Sequence, residues 1–299
     1  MRGMRVCGVI LSGGVSKRFG GDKALALLNG EPLIRHVAKS LHEAVEEVWL
    51  SVRDAERGEQ LIKACEPFVK GYIVDEFSAG PLSGFLSAAN RLEADVVVTS
   101  PADVPRIKAA TFQKLVEKFL HHSASVASVV WGNGAVETLV QVLSVDAVKN
   151  YLETVFMYRG GLHRPSDMLR CASKMLLAAG FKLSSDPYEF SNINTYQDLL
   201  EPKPRGSGGD RVRDDLLLTE SSQHFRQAAA AAAEKRFKES AQEYVSEALV
   251  LLSYGVAHLA GHALADAAKM FETGQSPEAA LICSRMEAFI RRDMLSGMR

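Results

Sequence analysis

Residues 11–25 read LSGGVSKRFGGDKAL, and they directly follow an apolar run at Val6–Leu11. The run predicts a first β-strand that is buried on both faces. Gly13 and Gly14 lack Cβ atoms, so the backbone after the strand can turn sharply and bring its N–H groups close to a phosphate chain. Arg18 and Lys23 can add positive charge to that chain. A single Gly-Gly turn would more simply be a solvated loop, but two glycine pairs that bracket an arginine and precede a lysine favour phosphate binding.

Short β-rich runs alternate with helical patterns from the first strand to residue 200. Leu33 to Ala44 and Leu82 to Leu92 carry apolar residues at helical spacing between such runs. This repeated order of strand, helix and strand predicts an α/β fold with a mostly parallel sheet and right-handed crossovers. Open sheets of this kind bind ligands at the carboxyl ends of their strands, where the glycine loop lies. The further predicted strands are Val48–Val52, Tyr72–Val74, Val96–Ser100, Ser125–Trp131 and Thr138–Ser144.

The C-terminal third differs in composition from the rest of the chain. Residues 201–210, EPKPRGSGGD, combine proline, glycine and charge and predict a linker, and the alanine run that follows at 228–233 predicts helices. We therefore expect an α/β domain at 1–200, a linker at 201–214 and an α-helical bundle domain at 215–299. An apolar stripe from Leu249 to Met270 predicts one long helix, and a further helix is expected over Glu278–Arg292.

Composition and charge exclude several classes of protein. The chain has 299 residues, 47% of them apolar, and a formal net charge of −1, which is globular and offers no basic field for nucleic acid or an anionic membrane. No stretch reaches the roughly 20 apolar residues of a membrane span. Four scattered cysteines without CxxC spacing argue against a disulfide framework or a zinc site and fit the cytoplasm, where we expect the protein. The glycine loop matches neither GxxxxGK[ST] nor GxGxxG, which argues against a P-loop ATPase and a dinucleotide oxidoreductase.

Four motifs together resemble the molybdenum cofactor guanylyltransferase family over about residues 4–200. The glycine loop is similar to the family's LAGGxSxRMGxDKAL, with Ser12 in place of Ala and Phe19 in place of Met. Its Gly-Gly and Asp-Lys pairs favour the guanylyl branch over related cytidylyl enzymes, whose loop usually reads LAAG. The other matches are Asp75 followed by GPLSG at 80–84 for Asp…GPLAG, PADVP at 101–105 for PCDxP, and SNINT at 191–195 with Asp198-Leu199 for NxNTPEDL.

This resemblance implies a Rossmann-like, glycosyltransferase-A-like nucleotidyltransferase. Its reaction would be transfer of GMP from GTP to the phosphate of molybdopterin, with Mg²⁺ as cofactor and pyrophosphate as product. Arg18, Lys23 and Asp103 would be catalytic, with Asp103 as the Mg²⁺ ligand, and Asn192 and Asn194 would lie near the acceptor. Asp75 would contact the guanine base. The residues implied to bind the nucleotide are Leu11, Ser12, Gly13, Gly14, Lys23, Ser51, Asp75, Gly80 and Asp103.

Several of these residues have structural alternatives. Asp103 follows a predicted strand and could cap the next helix, but the two prolines that flank its turn favour a Mg²⁺ ligand. Asp75 could be a strand-end turn residue, and Ser51 a buried strand serine. Residues 80–84 could form a tight turn, and 192–195 an Asx turn.

The acceptor side departs from the family pattern. Around residues 132–138, GNGAVET, the usual substrate-side residues are hard to recognise, and HRPS at 163–166 is only a loose match. Another acceptor, such as cobinamide phosphate, or another nucleoside triphosphate therefore stays open. A third hypothesis, from another class, is a GTP-binding regulatory protein that signals through the helical domain.

Residues 240–297 resemble a small archaeal-type helical domain of unknown function, which implies no activity. His258, His262 and Asp266 lie four residues apart on a predicted helix, within reach of a common metal. On the helix these three residues lie beside the apolar stripe, and no second helix offers an obvious ligand set such as ExxH. Both points favour a partly buried polar flank over a metal site. The domain could serve a homo-oligomer or a protein partner.

Overall fold

A computed structural model describes residues 3–14, 19, 21–159, 163–205, 209–219 and 221–295. The strands are β1 Val6–Leu11, β2 Leu27–Leu28, β3 Glu31–Pro32, β4 Glu47–Val52, β5 Gly71–Val74, β6 Val96–Pro101, β7 Val126–Val130, β8 Val136–Ser144, β9 Met175–Ala179 and β10 Leu216–Leu218. The helices are α1 Leu33–His42, α2 Ala55–Cys65, α3 Leu82–Arg91, α4 Ala109–His121, α5 Val145–Thr154, α6 Ser166–Cys171, α7 Gly180–Leu183, α8 Tyr196–Leu200, α9 Ser221–Ala233, α10 Phe237–Ser253, α11 Ala257–Thr273 and α12 Pro277–Phe289. In the part of the chain described here, no helix is long and apolar enough to cross a bilayer.

Eight strands form one sheet in the order β10-β9-β7-β8-β6-β1-β4-β5. The half that holds the first predicted strands is parallel, because β1 pairs in parallel with both β4 and β6, and β4 pairs in parallel with β5. Strand β8 runs antiparallel to both β6 and β7, and the edge strand β10 runs antiparallel to β9. The predicted mostly parallel α/β fold is confirmed, and the predicted strands lie within two residues of the observed ones.

Helices cover both faces of the sheet. An added Cβ on Gly8 would meet Val45 and Leu41 at the end of α1 on one face. On the other face, a Cβ on Gly84 of α3 would lie only 2.4 Å from the Ser51 hydroxyl oxygen. Glycine is therefore required at position 84, and it lets α3 begin directly against the carboxyl ends of β1 and β4.

The predicted single long helix between Leu249 and Met270 is wrong. It is two helices, α10 and α11, separated by a turn in which Gly255 has a φ of 77°. The apolar stripe continues through the turn because both helices pack against their neighbours, so periodicity alone does not reveal the break. Lys235 and Gln275 also have positive φ, of 60° and 56°, so similar turns recur every 20 residues and connect α9, α10, α11 and α12 as a repeat of stacked helices.

The region predicted as a linker lies against the α/β part of the chain. The backbone N–H groups of Arg211 and Val212 donate to the Gly132 carbonyl between β7 and β8, at 2.8 and 3.2 Å. Strand β10 then joins the sheet, so the C-terminal helices begin later than residue 215. The division into two domains stays a prediction.

A fully buried ion cluster joins the helical repeat to α6, a helix that packs against β7 of the sheet. Arg170 on α6 donates to both carboxylate oxygens of Glu247 on α10, each at 2.7 Å, and to Asp266 on α11, also at 2.7 Å. Its guanidinium lies over the rings of Phe225 and Tyr244, 4.6 and 5.5 Å from their centroids. Charges buried this deeply persist only when they are paired and hydrogen-bonded, and here each partner comes from a different helix.

Candidate active site

A cleft of about 600 Å³ opens at the carboxyl edge of the sheet. It lies where β1, β4, β5 and β6 end, which is where an open α/β sheet is expected to bind a ligand. Its lining includes every residue that was predicted to bind the nucleotide. The lining residues are Leu11, Ser12, Gly13, Gly14, Phe19, Lys23, Ala24, Ser51, Arg53, Arg57, Asp75, Phe77, Gly80, Pro81, Ser83, Pro101, Ala102, Asp103, Leu139 and Asn194.

A hydrogen-bonded chain connects the ends of β1, β4 and β5. Both the backbone N–H and the hydroxyl of Ser12 donate to the Ser51 carbonyl, at 2.9 and 2.7 Å. The Ser51 hydroxyl in turn donates to Oδ1 of Asp75 at 2.6 Å. Ser51 is therefore a buried strand serine, as the structural alternative expected, and it also orients the carboxylate that lines the cleft.

The Asp75 carboxylate is tightly enclosed. An added Cβ on Gly13 would lie 2.9 Å from its Oδ2 atom, so the glycine loop passes directly over it. Burial raises the pKa of Asp75, and the hydrogen bond from Ser51 opposes that rise. The carboxylate oxygens of Asp75, just after β5, are therefore hydrogen-bond acceptors in the lining of the cleft beside the glycine loop.

Lys23 also lines the cleft. Asp22 caps the 3₁₀ turn Lys23–Leu25 by accepting from the Ala24 N–H at 3.1 Å, and this fixes the direction of the lysine. The Lys23 ammonium donates to Oδ2 of Asp103 at 2.5 Å and to the side-chain oxygen of Asn194 at 3.1 Å. Three predicted site residues from distant parts of the chain thus meet at one point.

The segment 192–195 leads into a helix N-terminus. Thr195 and Asp198 form a capping box at the start of α8, and the Ile193 N–H donates to the Asp103 carbonyl at 2.9 Å. The local turn therefore holds Asn194 against Lys23. Asn192 does not line the cleft, and its Oδ1 atom is buried without a hydrogen-bond partner among the described residues.

The chemistry of this corner fits a hard divalent cation. Oδ1 of Asp103 is buried and has no hydrogen-bond partner in the described part of the chain, while its Oδ2 is neutralised by Lys23. The amide oxygen of Asn194 accepts a hydrogen bond from the same lysine. Carboxylate and amide oxygens are the protein ligands that suit Mg²⁺, which takes its other ligands from phosphates and water.

Arg57 is a cleft residue that the sequence analysis missed. Its guanidinium contacts both carboxylate oxygens of Asp22, with Nη2 donating to Oδ1 at 2.6 Å. Asp54 caps the start of α2 by accepting from the Arg57 N–H at 2.8 Å, so this arginine is held in the first turn of its helix. The pattern Asp54-x-x-Arg57 predicts a helix start, but nothing local in the sequence connects Arg57 to Asp22. Arg53 also lines the cleft and was not predicted to do so.

Arg18 lies outside the described residues, so its predicted catalytic role stays a prediction. Ser16 and Gly20 of the same loop are also outside them. Gly80 has a φ of 57° in the turn that precedes α3, which is consistent with its predicted place beside the ligand.

The three residues considered for a metal in the helical region bind protein groups instead. Asp266 accepts from Arg164, Arg170 and Arg159 at 2.6, 2.7 and 3.0 Å, and these cations hold its pKa below the usual range. The imidazole of His262 contacts the Ser166 hydroxyl at 2.8 Å.

His258 lies at the start of α11, where its ring contacts the backbone of Val136 and its backbone N–H donates to the Gly134 carbonyl at 3.0 Å. No group of three His, Cys, Asp or Glu side chains with metal-binding geometry occurs within the described residues. The side chains at 258, 262 and 266 instead fasten α11 to the hairpin between β7 and β8 and to α6.

Comparison with known proteins gives a consistent family. Residues 8–174, more than half of the chain, match the model of the MobA-like NTP transferase domain. A probable molybdenum cofactor guanylyltransferase of Thermococcus sibiricus is 32% identical over 202 residues, which are 66% of this chain and 96% of that protein. The molybdenum cofactor guanylyltransferase of Shewanella putrefaciens is 30% identical over 203 residues, covering 65% of this chain and 94% of that protein.

Solved structures agree on the fold. The crystal structure of molybdopterin-guanine dinucleotide biosynthesis protein A from Archaeoglobus fulgidus superimposes with a TM-score of 0.54 at 20% identity, covering 65% of this chain and 95% of that one. A nucleotidyl transferase from Methanothermobacter gives a TM-score of 0.50 at 19% identity, covering 66% of this chain and 95% of that one. About a third of this chain has no counterpart in these alignments.

Proposed function

Since this chain belongs to the MobA-like NTP transferase family and is a nucleotidyltransferase, we propose that it transfers GMP from GTP to the phosphate of molybdopterin, with release of pyrophosphate. The observation that carries this proposal is the contact between Lys23 and Asp103, 2.5 Å apart at the carboxyl edge of the sheet. A lysine and a carboxylate that neutralise each other in the free protein are suited to separate and take up a phosphate chain and its cation.

The base would be recognised by Asp75. An ionised carboxylate accepts two hydrogen bonds from the guanine N1–H and 2-amino groups, whereas adenine offers no such pair of donors. The Ser51 hydroxyl fixes one oxygen of Asp75 at 2.6 Å, so the carboxylate is oriented before the nucleotide arrives. This favours GTP over other nucleoside triphosphates.

The triphosphate would lie between the glycine loop and Lys23. The backbone N–H groups near Gly13 and Gly14 and the Lys23 ammonium would neutralise phosphate oxygens once Lys23 leaves Asp103. Asp103 and Asn194 would hold Mg²⁺ with their side-chain oxygens. When bound, the cation supplies charge neutralisation to the phosphates and orients them.

The transfer itself needs no protein base. An oxygen of the acceptor phosphate, already ionised at neutral pH, would attack the α-phosphorus of GTP in line. The bond between the α-phosphorus and the bridging oxygen of the β-phosphate would break, and pyrophosphate would leave. The contribution of the chain is orientation and charge neutralisation by the cleft residues.

The decisive experiment is pyrophosphate release from each of the four nucleoside triphosphates with Mg²⁺, with and without molybdopterin. Release that requires both GTP and molybdopterin is the expected result, and a mass spectrum of the product should show the dinucleotide. Release with GTP and another phosphorylated acceptor only would change the acceptor. GTP binding without pyrophosphate release under any condition would overturn the transferase assignment of this cleft in favour of a regulatory role.

A further inference from the structure

The outer face of α12 is apolar and uncovered within the described residues. Ala280, Cys283 and Ile290 are buried on the side that packs against α11. On the opposite side, apolar side chains stay largely accessible. The exposed fractions are 51% for Leu281, 59% for Ile282, 40% for Met286 and 54% for Phe289.

This face lies at the end of the helical repeat. Helices α10 and α11 each pack between two neighbours, joined by equivalent turns at Lys235, Gly255 and Gln275. In the described part of the chain, α12 packs mainly against α11 and the π-helical turn Ile290–Met294. A helix that leaves the outer face of a repeat stack open to solvent commonly presents polar side chains there, whereas α12 presents four exposed apolar ones.

Two charged residues on this face have no partner within the chain as described. Glu278 and Arg285 are exposed, and neither takes part in a hydrogen bond or ion pair there, unlike Glu287, which pairs with Arg291 of the following π-helical turn. They lie seven residues apart, which is about 10.5 Å along a helix, too far for an ion pair with each other. Between them lie Leu281 and Ile282.

Two copies of α12 that run antiparallel can match both the charges and the apolar residues of this face. A two-fold axis that passes between Leu281 and Ile282 sets Glu278 of one copy opposite Arg285 of the other, and the same pair forms again on the other side of the axis. The same axis sets Leu281 opposite Ile282 twice. Both the apolar centre and the flanking charges are therefore matched by one register, as an isologous contact requires.

We propose that this face binds α12 of a second copy of the chain, in an antiparallel helix pair related by a two-fold axis. The apolar contact contributes the affinity, and the two Glu278–Arg285 pairs select the direction and register of the helices. A helix of this length is about 20 Å long, so the contact is at the small end of specific interfaces and the dimer should dissociate reversibly on dilution.

Analytical ultracentrifugation of the full chain over a concentration series tests the proposal. The unchanged protein should show a monomer–dimer equilibrium. Glu278→Arg and Arg285→Glu, each of which sets like charges opposite each other, should each weaken dimerisation about tenfold or more. The double variant, with both charges exchanged, should recover most of the lost affinity because the pairs re-form in reverse.

Glu59→Arg is the matched control, because Glu59 is an exposed glutamate on α2, far from this face in the chain. It should leave the dimer unchanged, and circular dichroism should show that all variants keep their helices. A protein that stays monomeric at all concentrations overturns the proposal. A dimer that is insensitive to both single reversals, or a double variant no better than the singles, overturns it as well.

Discussion

The ammonium of Lys23 lies 2.5 Å from Oδ2 of Asp103, although the two residues are 80 positions apart in the chain. The contact joins the glycine loop after β1 to the turn after β6, two neighbouring parallel strands. Each residue thus keeps the charge of the other compensated in the free protein, and both are partly accessible to the cleft.

Loss of either member of this pair should abolish most of the activity. We expect Lys23→Ala and Asp103→Asn each to lower turnover by orders of magnitude, since each removes a group that neutralises developing phosphate charge. Pyrophosphate release at saturating GTP measures it, and thermal unfolding should change little because both side chains lie at the cleft. Turnover near that of the unchanged protein in either variant would count against the proposed site.

Recognition of GTP should depend on pH through Asp75. Burial raises the pKa of this carboxyl, and only the ionised form accepts both guanine donors, so GTP affinity should fall as the pH drops through that raised pKa. The Ser51 hydrogen bond lowers the pKa, so Ser51→Ala should move the loss of affinity to higher pH. Titration calorimetry across a pH series measures the midpoint.

The control for this pH series is Asp75→Asn. It should weaken GTP binding about 10- to 100-fold, as expected for the loss of one charged hydrogen-bond acceptor. The remaining affinity should no longer fall as the pH is lowered. If the GTP affinity of Asp75→Asn still fell at low pH, the titration would belong to another group.

Arg57 should act through Asp22. Its guanidinium contacts both oxygens of the Asp22 carboxylate, and Asp22 caps the turn that directs Lys23. We expect Arg57→Ala and Asp22→Asn each to raise the KM for GTP and lower kcat roughly tenfold, with a double variant no worse than the poorer single. Lys63→Ala, an exposed change on the same helix, is the control. Additive losses in the double variant would mean that Arg57 acts on the nucleotide independently of Asp22.

The parts of this molecule that the sequence predicts are those with local signals. Strand β1 and the glycine loop are adjacent in the chain, so their chemistry and their position at the sheet edge follow from one segment. Arg57 was missed because its partner lies 35 residues away, and the break at Gly255 was missed because the apolar stripe continues across it.

The helical region also shows that local sequence patterns do not reveal contacts between distant segments. His258, His262 and Asp266 have metal-like spacing, but their partners come from α6 and the hairpin between β7 and β8. A four-residue spacing reports which helix face the side chains share and not what that face meets. Only the packing of two distant segments decides between a metal site and a buried contact.

The ion cluster between α6 and the helical repeat should dominate the stability of the C-terminal region. Asp266 neutralises Arg159, Arg164 and Arg170, and Asp266→Asn would leave buried arginines without a full counter-charge. Breaking a buried pair on one side costs about 3–5 kcal/mol, so the urea midpoint should fall sharply.

Asp293→Asn is the matched control for this measurement. Asp293 pairs with the exposed Arg292 at 2.9 Å, and surface pairs of this kind contribute at most about 1 kcal/mol, so its unfolding curve should change little. If the helical region unfolds in a separate, earlier transition in Asp266→Asn while the remainder keeps binding GTP, the cluster serves to hold the repeat on the sheet. A curve for Asp266→Asn that matches the control would show that the three arginines find compensation elsewhere, and that the cluster contributes little to the attachment.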